Sequence, residues 1–287
     1  MNHVDGLRNH ARRTSCVAVV LGMICTAGVD CPQAADNAPG DNSERERLVE
    51  ILGDYAARHR LVDDSADDEP FDLRPEPLIT WTNPTRSRHF GGIYIWTQDN
   101  RPSAFCGIYV KDEGGNVSVS REYHSLATAP FAAIFDGKPV WAPEQPGVEF
   151  HPVAGATRPA QTAAVRLRQM KAIASQVSIA ISLRDTPPEP LRMLPRPIFR
   201  YSDPETGLSD GAIIAFVQGT DPEALLLIEA RSDENEARWH YGIARCTSWG
   251  LAAQIGGKTV YEVPPYYGSG NHTSTSIFFC IHQKPLE

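Results

Sequence analysis

The segment Pro77-Leu78-Ile79-Thr80-Trp81-Thr82-Asn83-Pro84 is the most informative part of the sequence, because a related segment follows it at an offset of 120 residues. That second stretch is Pro197-Ile198-Phe199-Arg200-Tyr201-Ser202-Asp203-Pro204, and only the pair Thr80/Arg200 differs in residue type. Working outward without a gap, thirteen positions between 77 and 141 are identical at this offset. Typical residue usage would give about four identities by chance. A constant offset with no gaps favours an internal duplication.

Each copy has the pattern of antiparallel β-structure. In the first copy, apolar segments are separated by the turn signals Asp99-Asn100-Arg101-Pro102, Asp112-Glu113-Gly114-Gly115 and Asp136-Gly137. An Asp-Gly pair accepts the positive φ angles of a two-residue hairpin, and Gly256-Gly257 stands at the same place in the second copy. The pattern predicts strands near 77–82, 92–97, 104–110, 117–126, 131–135 and 138–142, and their equivalents 120 residues later.

Two helices are expected besides the strands. Ser43 and Glu46 have the spacing of a capping box, and an apolar face then continues from Leu48 to Tyr55. Between the copies, apolar residues at helical spacing predict a second helix over roughly 160–177. We expect this helix to show three basic side chains to solvent: Arg166, Arg168 and Lys171. The predicted fold class is therefore α+β, mainly antiparallel β, with two duplicated β units packed together, a connecting helix and an N-terminal helix.

The first residues have the order of an export signal. Arg8, Arg12 and Arg13 precede a short apolar segment, Val17–Ala27, and polar residues follow it. This order favours a signal peptide and a secreted or periplasmic location over a buried N-terminal helix. The predicted organisation is a signal peptide at 1–35, an amphipathic helix and acidic linker at 36–76, β repeat 1 at 77–153, a connecting helix and Pro-rich linker at 154–196, and β repeat 2 at 197–287.

The charge of the chain is concentrated in one segment. The 287 residues carry a formal charge of −8, but residues 77–287 are almost neutral, with 19 basic and 20 acidic side chains. The acidity centres on the stretch 63–69, which contains five carboxylates. Because no basic patch is present, nucleic acid is not an expected partner. No apolar run reaches the roughly 18 residues that span a bilayer, so no membrane span is expected.

The cysteines left after removal of the leader are Cys106, Cys246 and Cys280. An odd number cannot form a complete set of intramolecular disulfides. At the repeat offset Cys106 faces Leu226 and Cys246 faces Leu126, which indicates apolar interior positions and inert thiols. Neither the cysteines nor the histidines have the spacing of a metal site, so no metal site and no cofactor are predicted.

Two classes of function remain open. The first is a non-catalytic binding or scaffolding module, with an unknown protein or carbohydrate partner. Four aromatic residues without an aromatic partner in the other copy offer a binding platform, although core filling is the simpler interpretation: Trp239, Trp249, Tyr266 and Tyr267. The second class is a hydrolase-type enzyme with a site at the junction of the repeats. Its candidate residues are His124, Glu149, His151, His240 and Arg245.

Four segments carry a resemblance to a known family. They are Trp81–Arg86, Gly137–Pro143, Arg166–Met170 and Phe216–Glu223. With them the chain, over roughly 45–285, resembles an uncharacterised family of exported planctomycete proteins. The resemblance implies export and no activity, cofactor or catalytic residue. We therefore expect an exported, β-rich binding or scaffolding module of the cell envelope and assign no catalytic, cofactor-binding or metal-binding residue.

Overall fold

The computed structural model describes seven ranges of the chain: 39–63, 69–82, 88–113, 116–183, 186–233, 236–268 and 273–285. The predicted signal peptide at 1–35 lies outside the described residues, as do residues 64–68 of the acidic stretch. All helices, strands and contacts below refer to the described ranges.

The first half of the described chain is one helix followed by eight strands, and we name residues 39–141 unit 1. The helix begins earlier than predicted, and a strand not foreseen from the sequence follows it directly, before the acidic stretch. The elements are α1 (Pro39–Ala57), β1 (His59–Asp63), β2 (Asp72–Leu73), β3 (Ile79–Thr82), β4 (Arg88–Gln98), β5 (Arg101–Glu113), β6 (Asn116–Ser125), β7 (Phe131–Phe135) and β8 (Lys138–Trp141).

The second half repeats this order with two additions, β11 and a 3₁₀ turn, and we name residues 163–263 unit 2. A short strand, β9 (His151–Pro152), lies between the units, and β19 (Phe278–Pro285) follows unit 2. The bounds of β14, β15 and β16 lie 120 residues after those of β4, β5 and β6. The elements of unit 2 are α2 (Ala163–Ala174), β10 (Val177–Ser182), β11 (Glu189–Pro190), β12 (Arg192–Met193), β13 (Phe199–Asp203), a 3₁₀ turn (Pro204–Thr206), β14 (Leu208–Gln218), β15 (Asp221–Asp233), β16 (Glu236–Arg245), β17 (Gly250–Ile255) and β18 (Lys258–Val263).

The strands form two large and two small sheets, and all pairings between named strands are antiparallel. One large sheet has the order β19-β6-β5-β4-β2, with β3 also paired to β4. The other has the order β12-β14-β15-β16-β9, with β13 paired to β14. The small sheets are β1-β7-β8 in unit 1 and β11-β10-β17-β18 in unit 2. The predicted fold class, mainly antiparallel β with two helices, is confirmed.

Three hydrophobic cores hold the layers together. In unit 1, Leu52 and Ala56 of α1 and the small sheet pack on one face of the first large sheet. In unit 2, Met170 and Ala174 of α2 and the second small sheet pack on one face of the other. The remaining faces of the two large sheets pack against each other, and we name this third cluster the junction core. Both faces of each large sheet are thus buried, which explains the continuous apolar runs of its strands.

A glycine facing an aromatic ring recurs in both units. Trp81 of β3 lies opposite Gly91 of β4, and Tyr201 of β13 lies opposite Gly211 of β14. A Cβ atom built on either glycine would lie inside van der Waals contact with the facing ring, at 2.5 Å from Tyr201 in the second case. The glycines therefore let each ring lie flat on its neighbouring strand and extend into the junction core.

The prediction that Arg166 of α2 faces solvent is wrong. Its Nε donates a hydrogen bond to Oδ2 of Asp210 at 2.8 Å, and Arg200 donates to the same carboxylate at 2.5 and 2.6 Å. Asp210 is buried in β14, so two guanidinium groups neutralise a carboxylate that burial would otherwise penalise. This cluster ties α2 to the large sheet of unit 2.

Candidate functional site at the junction of the units

A cleft of about 180 Å³ opens where unit 1 meets unit 2. Unit 1 supplies the end of β1, the tip of the β4–β5 hairpin and the loop between β6 and β7, and unit 2 supplies the 3₁₀ turn. This volume is well below the few hundred cubic ångströms typical of sites for drug-sized ligands, so the cleft suits a single side chain or a very small molecule. The lining residues are Asp63, Phe71, Gln98, Asp99, Arg101, Pro102, Ser103, Ala127, Thr128, Ala129, Pro130, Asp203 and Thr206.

The polar lining is predominantly acidic. Asp63, Asp99 and Asp203 contribute three carboxylates, against the single guanidinium of Arg101. Asp63 accepts a hydrogen bond from Nε2 of Gln98 at 3.3 Å. Asp203 accepts one from the hydroxyl of Thr206 at 2.5 Å, which fixes the 3₁₀ turn. The hydrogen bonds hold two of the carboxylates in place at the cleft wall.

The guanidinium of Arg101 forms an ion pair with Glu229, a buried carboxylate of unit 2. Its Nη2 donates to the two oxygens of Glu229 in β15 at 3.4 and 3.2 Å. Glu229 also accepts from the hydroxyl of Tyr201 at 2.7 Å and from Nε of Arg231 at 2.5 Å. Burial, together with the nearby Glu229 carboxylate, raises the pKa of Tyr201 well above its usual value, so this hydroxyl stays a donor. The cluster joins the units, and Arg101 at the cleft shares the carboxylate of Glu229 with Arg231.

Unit 2 has different residue types at two positions that correspond to the lining of this cleft. Ala129 lies just before β7 and lines the cleft, whereas Trp249 stands just before β17 and packs against the core of unit 2. Asp99 at the tip of the β4–β5 hairpin corresponds to Gly219 at the tip of the β14–β15 hairpin. Unit 1 thus has Ala129 where unit 2 has Trp249, and Asp99 where unit 2 has Gly219. Both pairs of residues are compatible with the fold of a unit.

The five residues considered for an enzyme separate into two groups, and none of them lines the cleft. Nε2 of His151 lies 3.6 Å from Oε1 of Glu149, and 85% of the Glu149 side chain and 42% of the His151 side chain are exposed. His240 lies beside this pair, because it pairs with Pro152 in the contact between β16 and β9. The Glu149–His151 pair is a surface pair.

His124 and Arg245 form the second group and both contact Phe278 of β19. His124 is buried, its Nδ1 lies 2.7 Å from the backbone oxygen of Ser125, and burial lowers its pKa to about 4. Arg245 donates to the backbone oxygens of Thr247, Pro264 and Trp249 at 2.7 to 3.1 Å. These bonds fix the loops that lead out of β16 and β18, a structural role.

Cys106, Cys246 and Cys280 are buried, and no disulfide joins them. The repeat predicted interior positions for Cys106 and Cys246. Burial raises the pKa of all three thiols, to about 12 for Cys280. A thiol in this state is not an activated nucleophile. Within the described ranges, no group of three or more His, Cys, Asp and Glu side chains is arranged to hold a metal ion.

The four unmatched aromatics do not form one platform. Trp239 is 2% exposed in the core of unit 2, and Trp249 packs against the same core. Tyr266 packs edge-on against Phe278, and Tyr267 is the member of the set with a largely exposed side chain, at 69%. Core filling therefore explains the two tryptophans.

Comparison with known proteins gives no assignment: no family model, no curated protein and no solved structure matches the chain. Among the helices that the structure describes, none is both long and apolar enough to cross a membrane.

Neither the Arg101–Glu229 pair nor the cleft follows from the sequence patterns described above. A local signal for the buried pair is present, because Glu229 directly follows the apolar run Leu225-Leu226-Leu227-Ile228. A carboxylate in a strand buried on both faces requires a partner. That partner lies 128 residues away in unit 1, so the spacing of residues along the chain gives no indication of which one it is.

Proposed function

We propose that the protein is an exported, non-catalytic binding module of the cell envelope, and that its cleft takes the basic side chain of a protein partner. The observation that carries the proposal is the cleft itself. It lies at the junction of the units, has three aspartates in its lining and has a volume suited to one side chain.

Charge favours a cation in this cleft. The described lining has one guanidinium, that of Arg101, which shares the carboxylate of Glu229 with Arg231, so three carboxylates of the lining outnumber its cations. The carboxylates of Asp63, Asp99 and Asp203 therefore set the sign of the local potential. An ammonium or guanidinium group close to them gains Coulomb energy that falls with added salt. The hydroxyls of Thr128 and Thr206 complete a polar wall without adding charge.

A non-catalytic role is supported by the state of the ionisable groups nearby. Glu229 is occupied by three donors, Arg245 by three backbone oxygens and His124 by the neighbouring backbone oxygen. Acid–base catalysis needs a group that faces the substrate and exchanges a proton near the working pH. These groups are held by contacts inside the protein instead, and neither His124 nor Arg245 lines the cleft.

The test is a titration of the full exported chain with short probes, followed by NMR chemical shifts. Tripeptides with a central lysine or arginine are compared with one that has norleucine in the centre and with a neutral disaccharide. We expect the basic peptides to bind, with an affinity that falls as salt rises, and to shift the amides around the hairpin tip at Asp99. Binding of the disaccharide alone would contradict the proposal.

Two variants sharpen this test. Ala129→Trp introduces the residue that unit 2 has at the corresponding place, and we expect it to fill the cleft and abolish binding. Asp99→Asn keeps the size and the turn preference of the residue but removes one charge, and should weaken binding about two- to fivefold. If the Ala129→Trp variant binds the basic tripeptides as well as the unchanged protein does, the binding site lies outside this cleft. Turnover of ester, phosphate or glycoside substrates that Asp99→Asn abolishes would make the protein an enzyme.

A further inference from the structure

The chain leaves unit 1 by crossing to the sheet of unit 2. After β8, Val148 enters the junction core, and a Cβ atom on Gly242 of β16 would collide with it. β9 then pairs with β16 through His151 and Tyr241, and the amide of Val153 donates to the backbone oxygen of Trp239 at 2.8 Å. The segment that follows unit 1 thus becomes the edge strand of the large sheet in unit 2.

The chain leaves unit 2 by crossing in the opposite direction. Ser274 exchanges backbone hydrogen bonds with Val140 and Ala142 at 3.2 and 2.7 Å, which places the tail beside β8 of unit 1. The indole of Trp141 donates to the backbone oxygen of Ser276 at 2.7 Å. β19 then pairs with β6 over residues 278–282, in register with 120–124. The segment that follows unit 2 becomes the edge strand of the large sheet in unit 1.

The two crossings are equivalent in the fold. Each follows the last strand of its unit, β8 or β18, and each adds a strand to the other unit beside β6 or β16. The bounds of β6 and β16 differ by 120 residues. We infer that the two units are the fused subunits of a strand-exchanged dimer, so that each half of the chain folds stably only with a partner half.

The junction core explains why a half cannot stand alone. Unit 1 contributes Trp81, Ile93, Ile95, Phe105 and Leu126 to it, all buried. Without unit 2 these side chains would form an exposed apolar face on a sheet that has also lost β19. Faces of this kind are found on soluble proteins where a partner binds. Unit 2 presents the same face, so the binding partner of each half is a half of the same type.

The experiment is to cut the chain between the units and ask what happens to the pieces. A protease site is inserted between Gly155 and Ala156, which are exposed and form a turn after β9. We expect the cleaved protein to keep the elution volume of the intact chain, as a complex of one N-terminal and one C-terminal piece. Its thermal midpoint should become dependent on concentration, because unfolding now releases two chains.

Separate production of the two pieces completes the test. Each piece alone should lack a cooperative unfolding transition as a monomer, and mixing should restore it at a ratio of one to one. A piece that dimerises with itself also supports the inference, because it uses the same face. Removal of residues 273–287 from the C-terminal piece should weaken the complex at least tenfold, because β19 is lost. Two folded monomers after cleavage would overturn the inference.

Discussion

Acidification should destabilise this protein from about pH 6.5 downward, because two histidines are buried in the neutral form. His59 is 6% exposed, and burial, with the nearby Arg121 guanidinium, lowers its pKa from 6.5 to about 4. His124 is 3% exposed, and burial lowers its pKa to about 4 as well. Both imidazoles take up protons in the unfolded chain near pH 6.5, but in the folded protein only near pH 4.

The contacts of His59 show why protonation is unfavourable. Its Nδ1 lies 2.9 Å from the backbone oxygen of Tyr55, so this nitrogen is the donor, and Nε2 accepts from the hydroxyl of Tyr123 at 2.8 Å. A proton on Nε2 would reverse the second bond and force the hydroxyl of Tyr123 to accept instead of donate. It would also add a positive charge near Arg121, whose guanidinium lies 3.8 Å above the ring of Phe135, a ring that His59 contacts as well.

The magnitude follows from the two pKa values. Each histidine has a pKa of about 4 in the folded protein and 6.5 in the unfolded chain. Each therefore contributes about 3 kcal/mol to the free energy of unfolding above pH 6.5, and this contribution is lost as the pH falls to 4. Together they change the free energy of unfolding by about 3 kcal/mol per pH unit within that window. Typical domains have only about 5–15 kcal/mol in total, so the free energy lost between pH 6.5 and pH 4 is a large part of the stability.

The assay is urea unfolding followed by tryptophan fluorescence at several pH values between 6.5 and 4.5. His59→Val and His124→Ala introduce the residues found at the equivalent strand positions of unit 2, Val177 and Ala244. Each variant should lose about half of the pH dependence, and the double variant most of it. Burial also lowers the pKa of His282, and a small dependence should therefore remain. An unchanged slope in the double variant would refute the reasoning.

Three further outcomes are expected. Gly91→Ala should lower the free energy of unfolding in urea titrations by about 1–3 kcal/mol, because the added methyl group collides with Trp81. Gly53→Ala in α1 is the control: its methyl group has room, and the variant should be more stable by up to about 1 kcal/mol. Equal effects of the two variants would contradict the packing of Trp81 on Gly91. Glu229→Gln should lower the free energy of unfolding by about 3–5 kcal/mol in the same titrations, since it leaves the Arg101 guanidinium without its carboxylate. A decrease below about 1 kcal/mol would show that the pair does not hold the units together. N-terminal sequencing of exported protein should begin between about residues 28 and 36, and a start at the first methionine would exclude a cleaved signal peptide.

Most of the strands could be predicted because their signals are local. The Asp136-Gly137 turn has φ angles of 50° and 73°, the conformation that the pair was expected to supply, and Gly256-Gly257 has 56° and 78°. The run of strands from β4 to β8 follows from such turns and from apolar segments between them. The repeat offset also placed Cys106 and Cys246 in the interior without any structural information.

The remaining features depend on contacts between distant parts of the chain. β1 and β10 are short strands that follow a helix directly, and each is stabilised by a hairpin strand more than 65 residues later, β7 or β17. Arg166 was expected in solvent because its partner Asp210 belongs to another element. The cleft arises from the approach of the β4–β5 hairpin to the 3₁₀ turn of unit 2. Local patterns do not specify which distant segments approach one another.

The reciprocal crossing of the two edge strands is the central claim, and nuclear Overhauser contacts measure it directly. In a mixture of isotopically labelled and unlabelled chains, the account predicts contacts within one molecule between residues 278–282 and 120–124, and between 151–152 and 240–241. We expect both sets of contacts in isotope-filtered spectra that select proton pairs within one labelled chain. The absence of either set, or its appearance only between different chains, would contradict the account.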